Sequence, residues 1–260
     1  MDTSHNFALS LSGGGLSALA YAGFVEVLKE HGLKPSSYAG LSGGAILAVL
    51  LASNLSSEKI IKFYEQLKTF RILNTHLSRL EIVDHKKLEL LIRDLLPYKL
   101  FEKLPMPVFI FVTDLTKKEP LILKNGDIAS ALVASCSVFP MLQPLKRKGL
   151  LLGDGGFTVY YGAQYLHDLG IKKVIGIDVT GITEGSVGGI FRALYKQINS
   201  AVTSNARYEL TEHPVDLDIK ITFPSPSIFS FERKTQHLLQ LGRKSAQQHL
   251  ANINAVLRKS

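Results

Sequence analysis

The chain has 260 residues, 46% of them apolar and 20% charged, with 30 basic against 22 acidic side chains and a net charge of +8. This apolar content excludes a disordered chain, and the length suits one large domain with a substantial core. The longest uninterrupted apolar run, residues 45–52, falls far short of the ~20 residues of a membrane-crossing helix. A lone Cys136 excludes an internal disulfide, and the first six residues carry no basic stretch leading into an apolar one. Together these features predict a cytoplasmic protein.

Residues 6–12 alternate apolar and polar side chains and read as a strand. Gly13, Gly14 and Gly15 come next, and then Leu16, Leu19, Ala20, Gly23, Phe24, Val27 and Leu28 recur as one face of a helix closed by His31-Gly32. A strand, three glycines and a helix start form a cradle of backbone amides suited to an anion. It reads either as a phosphate or dinucleotide loop or as an oxyanion hole. The dinucleotide fingerprint is incomplete because Ala18 stands at its third glycine, and no Walker-type Gly-Lys-Ser/Thr is present. The oxyanion reading fits better if this strand and the next are parallel neighbours.

The next strand ends in Gly40-Leu41-Ser42-Gly43-Gly44. Gly-x-Ser-x-Gly between a buried strand and an apolar helix is the pattern of a nucleophile elbow, a sharp turn that pushes the serine hydroxyl into the open. Gly40 and Gly44 suit a turn with no room for a Cβ. The helix after it would aim its free amides and positive dipole end at the Ser42 oxygen.

Ser56-Ser57-Glu58 caps a helix to about residue 67, and an apolar stretch comes after it with Phe70, Ile72, Leu73, Leu77, Leu80 and Ile82. That stretch reads as ordinary packing or as a lipid-accepting cap. Asp84 caps a helix to residue 96, and residues 107–114 form a near-continuous apolar strand of the buried kind. A short strand at 121–123 and a helix from Asp127 to Ser135 come next. Asp154 then ends an apolar run, Leu150-Leu151-Leu152, and precedes Gly155-Gly156. A carboxylate held on a tight turn at a strand terminus is placed for catalysis, although Asp-Gly taken alone reads equally as an Asx turn. A strand at 173–179, a helix at 189–209, an edge strand at 215–223 and a helix at 231–257 complete a single predicted domain over residues 1–260.

The last helix holds much of the charge excess. Arg233, Lys234, Arg243, Lys244, Arg258 and Lys259 stand against Glu232 alone. This reads equally as a solvated helix face or as a surface for anionic partners, peripheral docking on phospholipid headgroups or acidic metabolites, and the lack of interleaved aromatics argues against nucleic acid. The histidines show no metal-ligand spacing, so neither metal nor cofactor is expected.

Ser12-Gly13-Gly14-Gly15, Gly40-Leu41-Ser42-Gly43-Gly44, Ala134-Ser135-Cys136-Ser137 with Pro140 and Pro144, and Asp154-Gly155-Gly156 occur in one order. In order and spacing they resemble the patatin-like phospholipase family, particularly its short bacterial members, over roughly residues 6–250. The resemblance implies an α/β fold, a three-layer α/β/α sandwich around a mainly parallel sheet. It also implies a Ser–Asp dyad that cleaves lipid or lysophospholipid acyl esters without calcium. Ser42 would be the nucleophile, Asp154 the base, and the amides of Gly13, Gly14 and Gly15 the oxyanion hole. The chain departs from the family where the glycine loop usually continues with a basic residue and a glycine; Leu16-Ser17-Ala18 stands there. The residues also leave two rivals. One is a Ser-His-Asp esterase with His213, in a loop-like segment, as its base. The other is a non-catalytic module whose glycine loop binds an anion and whose basic last helix docks on a membrane or partner.

Overall fold

The computed structural model describes residues 6–69, 83–139, 141–179, 189–222 and 231–258. The apolar stretch at 70–82 and Pro140 lie outside them. In chain order the elements are β1 (Phe7–Leu11), α1 (Leu19–Glu30), β2 (Ser37–Gly40), α2 (Ser42–Ala52), α3 (Ser57–Thr69), α4 (His85–Leu95), β3 (Val108–Asp114) and β4 (Glu119–Leu123). Then come α5 (Ile128–Ser135), β5 (Leu145–Arg147), β6 (Leu150–Asp154), α6 (Ala163–Asp168), β7 (Lys173–Asp178), α7 (Gly189–Glu212), β8 (Leu217–Lys220) and α8 (Phe231–Arg258).

The strands form one sheet in the order β5-β6-β3-β2-β1-β7-β8, with β4 added on β3. Strands β3, β2, β1, β7 and β8 run parallel, while β4 and β6 lie antiparallel to β3. Side chains alternate across a strand, so one run of sequence feeds two cores. Phe7, Leu9 and Leu11 of β1 and Ile110 and Val112 of β3 face a large core shared with α1, α2 and α8. Ala8 and Phe111 face a smaller core with Tyr160, Tyr161, Leu166 and the α7 residues Ala206 and Leu210. Helices therefore cover both faces, giving the expected α/β/α sandwich.

Helix α8 packs along α1 at backbone distance. A Cβ on Gly242 would lie 1.8 Å from the Ala20 carbonyl oxygen, and one on Gly23 would lie 2.1 Å from that of Leu239. The contact extends into ion pairs from Arg243 to Glu26 at 2.9 Å and Glu30 at 2.8 Å. The cluster of cations read at the C-terminus is therefore divided. Arg243 faces α1, while Lys234, Lys244 and Arg258 are exposed at separate points along the helix; the Arg233 side chain and Lys259 lie outside what is described.

Three local features differ from the sequence expectation. A tight 3-10 turn over Gly15–Ala18 precedes α1, β5 and α6 are additional short elements, and α7 continues to Glu212. β5 is a three-residue edge strand with two basic side chains, and α6 has six residues. Both are too short for a periodic signal.

The feature that builds the site is at the edge of β3. Strand β4 occupies one edge of β3 over Ile110–Asp114, so β2 and β6 share the other. β2 leaves that edge where Gly40 pairs with Ile110, and β6 arrives from the opposite direction where Asp154 pairs with Val112. The two strands end head to head across Phe111.

Candidate active site

Ser42 turns the chain from β2 into α2 with a φ of 52°, in the left-handed region that a non-glycine residue occupies only under constraint. The constraint is contact between backbones. A Cβ on Gly40 would sit 2.7 Å from the Gly44 carbonyl, and one on Gly44 would sit 2.3 Å from the carbonyl oxygens of Leu11 and Ser12. Gly43 lies against Gly15 with similar closeness, its Cβ position 2.6 Å from that residue's nitrogen. The elbow and the glycine loop are thus pressed together, as the parallel pairing of Leu11 with Gly40 requires.

The loop is anchored from below. Ser12 Oγ donates to Asp178 Oδ1 at 2.8 Å, and the Tyr21 hydroxyl donates to the Ser12 carbonyl at 3.0 Å. All three residues are buried. Burial, with the charge of Asp178 adding to it, holds the Tyr21 hydroxyl in its neutral form; the hydrogen bond from Ser12 acts in the opposite sense. Gly14 and Gly15 take φ values of 141° and 54° and are exposed, with Gly13 half-buried. The Ser17 amide closes the turn on the Gly14 carbonyl at 3.0 Å. The amides of Gly13, Gly14 and Gly15 donate to no acceptor among the described residues. Ala18, at the position of a family glycine, is fully buried in the core, so the extra methyl is accommodated there.

Asp154 is held at both backbone ends: its amide donates to the Ser137 carbonyl at 3.0 Å, and its carbonyl accepts from Thr113 Oγ1 at 2.7 Å. The residue is only 5% exposed. Oδ1 accepts from the Gly156 amide at 2.8 Å, whereas Oδ2 has no hydrogen-bond partner among the described residues. Burial pushes the carboxyl up to about 6, against the opposing pull of the Gly156 amide and the neighbouring Ser42 side chain. Ser42 is near enough to favour the charge, yet no hydrogen bond of normal geometry closes on Oδ2. The glycine after the acid is needed for the approach to the elbow, because a Cβ on Gly155 would meet the Phe111 oxygen at 2.5 Å and the Leu41 Cβ at 3.0 Å.

Two residues join the site that the sequence offered only as part of the Ala134–Ser137 segment. Ser135, fully buried at the end of α5, accepts from the Ser42 amide at 2.9 Å and donates to the Phe111 carbonyl at 2.7 Å. Its hydroxyl fills the gap where β2 and β6 end, and it ties the elbow to β3. Cys136 lies half-buried beside Ser42 and Asp154; burial and the Asp154 charge push its thiol up, and a hydrogen bond with Ser42 opposes them. A serine and a cysteine at the end of an apolar helix give no sequence signal for either role without the sheet topology.

His213 is elsewhere. It comes after the last turn of α7, is exposed, and stacks edge-on against Tyr208 at 6.5 Å. The chain then enters β8 at the starting edge of the sheet, where the Asp216 amide meets the Val174 carbonyl. Ser42 stands past the finishing edge of β2, a strand length of roughly 15–20 Å away. The histidine of the triad rival is therefore on the wrong side of the sheet. Among the described residues no cluster of three or more His, Cys, Asp or Glu side chains is placed to hold a metal.

An elbow serine, a carboxylate with a free oxygen and an amide loop, gathered at one edge of an α/β/α sandwich, are groups of the kind that a serine hydrolase needs. Comparison with known families narrows this: the description "Patatin-like phospholipase" matches residues 9–163, a span that includes the loop, the elbow, Ser135 and Asp154. The chain belongs to the patatin-like phospholipases, a family of lipid hydrolases. It is similar to the neuropathy target esterase sws of Drosophila melanogaster, 27% identical over 190 residues that cover 68% of this chain and 13% of that protein. It is also similar to an uncharacterised NTE family protein of Mycobacterium tuberculosis, 29% identical over 156 residues, 59% of this chain and 43% of that one. The chain thus spans less than half the length of the curated relatives it matches. Among solved structures, VipD from Legionella pneumophila shares the fold with a TM-score of 0.60 and 15% identity, covering 96% of this chain and 67% of that one.

Proposed function

We propose that the protein is a serine acyl hydrolase of phospholipase A or lysophospholipase type, using Ser42 and Asp154 as a dyad and needing no calcium. The observation that carries this reading is the unpartnered Oδ2 of buried Asp154 beside Ser42 on a strained elbow. A buried carboxylate oxygen without a donor is costly, and a function that needs it free accounts for its being kept. A carboxyl near 6 is ionised at neutral pH, yet it is basic enough to accept a serine proton.

In the first half-reaction Ser42 Oγ attacks the acyl carbonyl carbon while its proton passes to Asp154 Oδ2. The carbonyl oxygen takes the negative charge and is held by the amides of Gly13, Gly14 and Gly15, each such donor being worth about 3–4 kcal/mol. Collapse breaks the ester bond, and Asp154 returns the proton to the departing alcohol of the lipid. The second half repeats the sequence with water, deprotonated by Asp154, attacking the acyl-enzyme and releasing the fatty acid.

Hydrolysis of p-nitrophenyl esters of increasing chain length, with lysophospholipid in parallel, tests this reading in EDTA. The wild type and His213→Ala are expected to be active, and Ser42→Ala and Asp154→Asn inactive with native circular dichroism. Loss of activity in His213→Ala would refute the dyad. A folded wild type inactive on every ester would turn attention to the Leu16-Ser17-Ala18 loop and to the non-catalytic reading.

A further inference from the structure

The segment that supports the dyad ends in exposed apolar side chains. The Ser137 carbonyl holds the Asp154 amide, and Phe139, two residues on, is 47% exposed; two residues of chain reach at most about 7 Å. Met141 is 48% exposed, and its carbonyl accepts from the Val83 amide at 2.9 Å. Val83 precedes Asp84, the residue that caps α4 by accepting from the amides of Lys86 and Lys87. Both lysines are exposed in the first turn of α4 and pair with no carboxylate among the described residues. Leu90, one turn further along the same side of α4, is 58% exposed. Of the acids nearby, Glu89 and Asp127 both pair with Arg93, and Asp84 accepts the Lys86 and Lys87 amides and feels the Lys87 charge without closing an ion pair among the described residues.

Large apolar tips flanked by unpaired lysines are the composition of a surface that enters the boundary of a bilayer, apolar groups among acyl chains and ammonium groups at headgroup phosphates. We propose that this rim, Phe139 and Met141 with Lys86, Lys87 and Leu90, is where the protein sits on an anionic membrane, beside the mouth of its own site. The proposal rests on the lipid-hydrolase reading for its choice of partner. It moves the membrane contact from α8, whose described exposed cations, Lys234, Lys244 and Arg258, are spread along the helix, to the segment that carries Ser135 and touches Asp154.

The test is co-sedimentation with phosphatidylcholine vesicles, with and without phosphatidylglycerol, alongside hydrolysis of a soluble short-chain ester. Three double variants are compared with the wild type: Phe139→Ser with Met141→Ser, Lys86→Glu with Lys87→Glu, and Lys234→Glu with Lys244→Glu on α8. The first two are expected to weaken binding to phosphatidylglycerol vesicles by about tenfold or more, with melting temperature and soluble-ester rate unchanged. The α8 pair is expected to bind as the wild type, and salt is expected to weaken only the anionic-vesicle binding. Rim variants that bind normally, an α8 variant that loses as much, or rim variants that also lose soluble-ester activity would each overturn the proposal, as would a protein-partner surface revealed by a wild type that ignores vesicles. A wild type that binds vesicles through the rim but cleaves no ester would sink the hydrolase reading and leave the surface standing. One that cleaves the soluble ester without binding vesicles would do the reverse.

Discussion

Two strands of this sheet, β6 and β7, each end in a buried aspartate, and the two aspartates meet opposite surroundings. Asp154 is 5% exposed and Asp178 7%, so burial does not separate them. Asp178 takes the Ser12 hydroxyl at 2.8 Å and thereby fixes the start of the glycine loop. Asp154 accepts one backbone amide with Oδ1 and leaves Oδ2 open beside Ser42. A carboxylate that accepts a fixed buried hydroxyl holds structure in place, while one left a donor short beside a serine can take a proton from that neighbour. The difference arises from the neighbours that each strand end meets. Gly155 and Gly156 bring Asp154 against the elbow with only one amide to satisfy it, whereas β7 delivers Asp178 underneath a serine.

Substituting Asp154 gives the sharpest contrast and the largest effect. Asp154→Asn is expected to lower kcat by about 10²–10⁴-fold and, unusually for a buried site, to stabilise the protein. A carboxyl at about 6 in the fold and ~3.9 unfolded favours folding fully below ~3.9. It loses that contribution as pH rises through about 6, leaving a penalty of roughly 2–3 kcal/mol at neutral pH and above. Asparagine carries no such charge. Thermal melts should therefore show the variant's advantage over wild type growing between pH 4 and pH 8; an advantage that is flat with pH would mean that Asp154 is not held in the raised state. In the wild type, kcat/KM should fall about tenfold per pH unit below about 6.

Asp178→Ala tests the other half. Removing the acceptor leaves the buried Ser12 hydroxyl only its longer contacts, 3.1 Å to the Tyr21 hydroxyl and 3.3 Å to the Gly13 carbonyl, and loosens the loop, so a stability loss of about 1–3 kcal/mol is expected. The accompanying fall in kcat is expected to be about 10–100-fold, a fraction of what the amides supply. Melting temperature and kcat should drop together, the reverse of the Asp154→Asn pattern. A variant that melts like wild type but is dead would place Asp178 in the chemistry itself.

Much of this arrangement is legible in the residues themselves. The alternating and continuous apolar runs mark the strands, because a strand buried on both faces has no polar side to disguise it. The glycines at 40 and 44 mark backbone contacts that the fold then makes, those at 14 and 15 mark a turn of positive φ, and Asp154-Gly155 marks a strand end. The head-to-head meeting of β2 and β6 is not legible, since it depends on which edge of β3 each strand takes, and pairing across such distances leaves no local pattern. Ser135 is invisible as a working residue for the same reason: its hydroxyl matters only because Ser42 N and Phe111 O face one gap. The basic character of residues 231–260 is plain, but no local pattern says that Arg243 turns inward to Glu26 and Glu30. His213 is legible as a loop residue because Pro214 follows it and cannot continue a helix, although α7 runs on to Glu212, past the point where its apolar periodicity fades.

Ser135 supplies the smallest effect and joins the two halves of the comparison, since it ties the elbow to the strand beside which Asp154 ends. In Ser135→Ala the part-buried Ser42 amide loses its acceptor and the buried Phe111 carbonyl its donor. The expected stability loss is about 1–3 kcal/mol. The elbow would remain, because Gly40 and Gly44 still lock it from the other side, but Ser42 would hold its aim toward Asp154 less tightly. A small misalignment of a nucleophile costs roughly tenfold or more in rate, so kcat is expected to fall about tenfold with KM for a soluble ester unchanged. Ser135→Thr keeps the hydroxyl that both partners need and is expected to recover most of the rate, while Ser135→Val, of similar shape, is expected to behave like the alanine variant. Equal rates for the threonine and valine variants would show that Ser135 fills space and does not aim the serine.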